Sequence, residues 1–349
     1  MPEKIYSIHG IVTFKIVTSK GLLNGIFTPL LGSWDTELQG FRSNSINEPD
    51  FVVSIGKFNP NNPGCTILDD DYYLKEDYLY CRDHDKYAKW ELELSGFEQG
   101  KMEVQIHPNS LGKMLIPELI VNPLIWFKLN EGGYPVIHAS AVSRDGKAYI
   151  FAAQGGAGKS IIALSLAEKG FKLLSDHFVI LSKDEVLSFP TPFHIMDFNL
   201  APIIRGNMSS KHKVSFHLRQ LFHRLTRKRI ATKILPSDIL SNTLLADKAR
   251  LNAVFLLLPK EKLEVESIGK EELIKHLVAN QKLEFFPFIK YIMEYSYLFP
   301  QSDMATYWTR YEENLRQALD TAQAFYKVEV PLKYDATTLE KIGSLVSEC

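Results

Sequence analysis

The segment FAAQGGAGKS at 151–160 carries the residue types that hold a chain of phosphates. Gly155, Gly156 and Gly158 let the backbone turn tightly and aim successive N–H groups into one concavity. The positive end of the helix predicted over SIIALSLAEKG (160–170) reinforces that concavity. In this pattern Lys159 reaches the β- and γ-phosphates of a nucleotide and the Ser160 hydroxyl ligates Mg2+. Ala157 and Ile161 complete the candidate nucleotide-binding segment. The apolar strand AYIFAA (148–153) precedes the loop, as the motif requires. A strict Walker A loop has glycine where this chain has Ala153; if that turn needs positive φ, alanine costs about 1 kcal/mol there.

Composition sets the frame for these residues. The 349-residue chain is 45% hydrophobic and 23% charged, the balance of an ordinary globular protein, and it is long enough for two domains. A net charge of −1 leaves no whole-protein field to select a partner, so attraction for anions must be local. Cys65, Cys81 and Cys349 are widely spaced and odd in number, which suggests neither a disulfide framework nor a zinc site and points to a reducing, cytoplasmic setting. The sequence has no run of 18 apolar residues, so no membrane partner is expected.

The elements that must position the loop are legible in outline. Short alternating segments over 1–110, such as FVVSIGKF (51–58) and YAKWELEL (87–94), predict a β-rich antiparallel meander. Asp69, Asp70 and Asp71 read as a solvated turn before a strand. Residues 111–133 form an apolar stretch interrupted by Pro117 and Pro123, predicting a helical connection, either one bent helix or two short ones. From 134 the pattern is YPVIHASAV, the turn Arg144-Asp145-Gly146, KAYIFAA, the glycine loop and a helix; the strand FKLLS follows, with Asp176-His177 at its end. Ligands gather beyond the carboxyl ends of strands in open α/β sheets, so Asp176 and the glycine loop should face one pocket. RLNAVFLLLP (250–259) reads as a buried strand, and the spacing of Trp308, Tyr311, Leu315, Ala318, Ala322 and Phe325 predicts one amphipathic helix over 303–326.

Residues 198–237 contain no Asp or Glu and nine cations, among them Arg205, Arg224 and Arg227. Such a run fits a solvated face or a surface drawing phosphates and acidic partners. Phe216 and Phe222 are the aromatics set among the cations, and no recognised nucleic-acid motif surrounds them, so nucleic acid is not the expected partner.

His138 in VIHASAV, the loop QGGAGKS and Asp176 in KLLSDH together resemble the HPr kinase/phosphorylase family, over about 134–260. That resemblance implies an α/β (α+β) chain with a C-terminal P-loop kinase domain of the HPr kinase/phosphoenolpyruvate carboxykinase type over 134–349, behind the β-rich N-terminal domain. It implies an ATP- and Mg2+-dependent transfer of phosphate to a serine hydroxyl of a protein or peptide, and a homo-oligomer. Carried over by position, Lys159 and Ser160 hold nucleotide and metal, Asp176 is the base and a metal contact, and His138 lies near that carboxylate. His177, Arg205 and Arg227 are candidates for contact with transferred phosphate or acceptor. Two residues depart from the family pattern: His177 stands where a second acid is usual, and Ile161 where the bifunctional members have Glu, which favours a kinase over a phosphorylase. Read by themselves, His138 also fits a core histidine and Asp176 a turn cap. A small-molecule kinase with an amino acid or sugar acceptor, or a nucleotide-binding regulatory module without turnover, fits the same residues.

Overall fold

The computed structural model describes residues 3–19, 35–98, 100–196, 202–226 and 231–349. The chain is mixed α/β with two large sheets, and it divides into two units that each draw on separated stretches of sequence. One unit is Met1–Gly132 with Phe285–Arg310; the other is Gly133–Glu284 with Tyr311–Cys349. Residues 285–310 thus pack with the first unit, although the sequence reading assigned 134–349 to one domain.

The first unit is built on eight strands: β1 (Glu3–Ile8), β2 (Val12–Thr18), β3 (Phe51–Ile55), β4 (Thr66–Leu68), β5 (Tyr72–Lys75), β6 (Tyr78–Asp85), β7 (Ala88–Ser95) and β8 (Met102–Pro108). Their order is β1-β2-β3-β8-β7-β6-β5-β4. β4 to β8 form the expected antiparallel meander, with Asp69 and Asp70 turning between β4 and β5 at positive φ. β3 departs from it, pairing in parallel with both β2 and β8. The long connection from Thr18 to Phe51 permits that crossover, which a hairpin cannot make. Alternation buries Phe14, Phe51, Val53, Leu92, Leu94 and Val104 on one face.

The proline-interrupted stretch is one bent helical run: α1 (Gly112–Ile116), a π-helical turn over Pro117–Val121, and α2 (Asn122–Glu131). The π-helical turn begins at Pro117, which lacks the N–H for a regular hydrogen bond.

The second unit opens on β9 (Val136–Arg144) and β10 (Lys147–Ala152), a hairpin whose Asp145 and Gly146 both take positive φ, as a tight primed turn requires. After α3 (Lys159–Glu168) come β11 (Lys172–Ser175), β12 (Phe178–Leu181), β13 (Glu185–Ser188) and the small hairpin β14 (Phe193–Ile195) with β15 (Thr232–Ile234). Between those last two lie α4 (Pro202–Asn207) and α5 (Ser210–Thr226). β16 (Lys248–Lys260) pairs in parallel with β10, and in antiparallel fashion with β13. With β12 joined to both β9 and β13, the pairings β9-β10-β16-β13-β12 close on themselves. β17 (Glu264–Ser267) lies at the far edge, followed in sequence by α6 (Lys270–Glu284).

The helix expected over 303–326 is shorter. After α7 (Phe288–Leu298), α8 runs Asp303–Ala318, and β18 (Ala324–Pro331) takes over before α9 (Ala336–Glu348). Ala322 and Phe325 keep a helical spacing, but the Gln323 N–H is drawn to the Asn252 carbonyl at 2.8 Å and 324–331 pair with Ala253–Lys260. The tertiary ladder outweighs the local periodicity. Among the described residues no helix is long and apolar enough to cross a membrane.

Candidate functional site

The glycine loop joins β10 to α3, and its conformation follows from three positions. Gly156 and Gly158 both sit at φ +86°, a region that favours glycine. Gly158 is also pressed by a neighbour: a Cβ there would come within 2.2 Å of the Tyr334 ring. Ala153 does not take positive φ and is buried in the core, so the penalty anticipated for it does not arise.

Lys159 is the first residue of α3 and is only 7% exposed. Its ammonium donates to the carbonyls of Ala153 at 2.8 Å and Gln154 at 3.1 Å, folding back along the loop. Burial draws its pKa down to about 8, against the opposing pull of Glu284 and Asp176. Asp176 follows β11, and burial holds its carboxyl above the usual carboxylate range; the Ser160 hydroxyl, Lys159 and Ser140 work in the other direction. The Ser140 hydroxyl donates to the Asp176 carbonyl at 2.5 Å and lies 3.3 Å from its Oδ1, fixing the residue against β9.

The histidines are set by strand register. Phe178 pairs with His138 across β12 and β9, and the Ala139 N–H donates to the His177 carbonyl at 3.2 Å. The two histidine rings meet edge to face where His177 precedes β12, with centroids 4.8 Å apart, while His194 of β14 stacks on His177 at 5.6 Å. Burial, with the neighbouring His138 and His194, pushes His177 well below the ordinary histidine range. His138 is also lowered by burial, although its Nδ1 lies 2.7 Å from Glu284 Oε1.

A cavity of about 950 Å³ brings most of these groups together. Gly155, Gly156, Gly158, Lys159, Ser160, Ile161, Asp176, His177 and His138 all line it. Ala157 contributes backbone: its carbonyl accepts from the Tyr334 hydroxyl at 2.6 Å. Arg205 is exposed on α4 and does not line the cavity, and Arg227 lies outside the described residues.

The sequence reading missed Glu284, Asn280, His194 and Tyr334. Asn280 and Glu284 are one turn apart on α6, a spacing that puts them on one face. The Asn280 amide donates to the carbonyls of Ala153 at 3.2 Å and His138 at 3.4 Å, tying the loop's root to the histidine strand. Tyr334 follows β18 with no local pattern to mark it; only the fold brings it to the loop.

No protein-family model matches the chain, and no curated protein matches it. Among solved structures it is similar to the Hpr(Ser) kinase/phosphatase from Coxiella burnetii at a TM-score of 0.27 and 11% identity, covering 61% of this chain and 94% of that one. A likeness at that level does not by itself show a shared fold.

Proposed function

We propose that the unit carrying this cavity binds a nucleoside triphosphate with Mg2+ and transfers its γ-phosphoryl group to a serine hydroxyl of a protein or peptide. The observation that carries this reading is the convergence of the loop, Lys159, Ser160 and Asp176 on one cavity.

The Ser160 hydroxyl and the Asp176 carboxylate are hard oxygen donors lining that cavity, which fits Mg2+. When bound, the ion supplies charge neutralisation to the phosphate oxygens. The N–H groups at the start of α3 cradle the phosphates, and Lys159 turns from the Ala153 carbonyl toward the γ-phosphate, exchanging a neutral acceptor for a charged one. As the acceptor oxygen bonds to phosphorus, the bond from phosphorus to the β–γ bridging oxygen breaks and the nucleoside diphosphate leaves. The acceptor proton passes to Asp176. A carboxyl raised by burial suits that role, because a stronger base accepts the proton more readily.

The test is a calorimetric titration of Mg-ATP into the wild type and Lys159→Ala, followed by incubation with γ-labelled ATP and a cell extract. Binding lost in the variant, with label on a discrete protein, supports the reading. Hydrolysis without acceptor that Asp176→Asn abolishes, while ATP still binds, assigns the base; unchanged hydrolysis in that variant removes Asp176 from the role.

A further inference from the structure

Beside the phosphate loop stand three metal-ligating side chains that the transfer reaction does not require. His138, His177 and Glu284 each bring one ligand atom, and these atoms lie within 4.8 Å of one another. We propose that this trio binds a divalent transition-metal ion of the Zn2+ class, at a position separate from Ser160 and Asp176. The inference rests on these side chains and stands apart from the phosphoryl-transfer reading.

The donor set selects the kind of ion. Two imidazoles and one carboxylate suit Zn2+, Co2+ and related first-row ions, whereas Mg2+ and Ca2+ take oxygen ligands. Three protein ligands also leave a coordination position for water or for an oxygen of a bound molecule. Since His138 and His177 line the cavity, that position opens toward whatever occupies it.

The scaffold holds the trio in the way metal ligands are held. His177 immediately precedes β12, whose first residue Phe178 pairs with His138, and its ring meets that of His138 at 4.8 Å between centroids. Glu284 ends α6, one turn beyond Asn280, whose amide grips the backbone carbonyl of His138. This is the outer support that orients a ligand and its strand together. The charged groups acting on the two imidazoles from outside the trio include the Lys159 and Lys233 ammoniums and the Asp176 carboxylate, which opposes them. The 2.7 Å separation of His138 Nδ1 and Glu284 Oε1 would widen on binding, since ligand atoms about a tetrahedral zinc stand roughly 3.3 Å apart. An ion enters by replacing a direct contact with two coordinate bonds.

The test uses Co2+ as an optical and paramagnetic probe on the full chain in excess Mg2+. The expected result is one Co2+ per chain with visible ligand-field bands, displaced by Zn2+ and not by further Mg2+. His177→Ala and Glu284→Gln should each weaken Co2+ tenfold or more. Binding that both variants retain would assign the ion to other residues and overturn the proposal, as would the absence of stoichiometric Co2+ binding by the wild type. If the variants do not fold, the proton spectrum of the wild type decides: two imidazoles with paramagnetically shifted ring signals support the site, and fewer than two overturn it. Mg-ATP titrated into the same samples separates failure of this site from failure of the nucleotide reading.

Discussion

The hydroxyl of Tyr334 donates to the Ala157 carbonyl at 2.6 Å while its ring lies against Gly158, so a side chain from beyond the last strand braces the phosphate loop from outside. The loop's shape is therefore set by glycine geometry within and an aromatic wall without. Gly158→Ala must accept both an unfavourable φ of +86° and a clash with that wall. The expected outcome is a loss of stability of about 2 kcal/mol or more, read as a lower denaturant midpoint, with nucleotide binding lost as well. Tyr334→Phe keeps the ring and removes one hydrogen bond, so it should cost only about 1 kcal/mol. Equal effects of the two substitutions would show that the wall does not act sterically.

Lys159 makes affinity depend on pH in a direction its burial fixes. In the empty protein its pKa is drawn down to about 8, and a bound polyphosphate favours the charged form. Binding therefore takes up a proton above pH 8, and Mg-ATP affinity should fall as pH rises past that value, approaching tenfold per unit. Below pH 8 the ammonium is already charged and this dependence vanishes. Lys159→Arg, which keeps its charge, should flatten the profile between pH 8 and 10 in calorimetric titrations. A wild-type profile flat over that range would mean that Lys159 does not meet the phosphates.

Lys159→Ala, measured at pH 7, removes the charge altogether. A hydrogen bond to a charged group contributes about 1.5–3 kcal/mol, so Mg-ATP affinity should drop by roughly ten- to a hundredfold. Denaturant unfolding of the empty variant distinguishes lost binding from lost structure.

In the first unit, Tyr291 links Trp90 to Asp83: its hydroxyl accepts from Trp90 Nε1 at 3.0 Å and donates to Asp83 Oδ2 at 2.8 Å. Tyr291→Phe leaves a buried indole N–H without its acceptor. A destabilisation of about 2 kcal/mol is expected in urea titration, with Trp90 fluorescence as the reporter. A change under 0.5 kcal/mol would mean that the indole finds another partner.

Local patterns announced the parts of the site that lie close in sequence. Strand, glycines, Lys159 and Ser160 are contiguous, and Asp176 ends the next strand, so one βαβ reading gathers them. Glu284 and Tyr334 come to the loop from α6 and from beyond β18, and no periodicity encodes that arrival. The parallel insertion of β3 and the early end of α8 were hidden for a related reason. Each depends on a ladder formed with residues distant in sequence, Met102–Ile106 for β3 and Ala253–Lys260 for β18.

The interleaved division of the chain bears on how it is made. Met1–Gly132 leaves the ribosome before Phe285–Arg310, the stretch that completes its unit, and all of Gly133–Glu284 is synthesised between them. Until then Trp90 and Tyr72 wait without Tyr291. A nascent chain stopped at Gly132 holds an unfinished sheet face, and a fragment starting at Gly133 carries α7 as an orphan. Neither half is thus a natural unit for expression, and a split of this chain into independently folding pieces must keep 285–310 with Met1–Gly132.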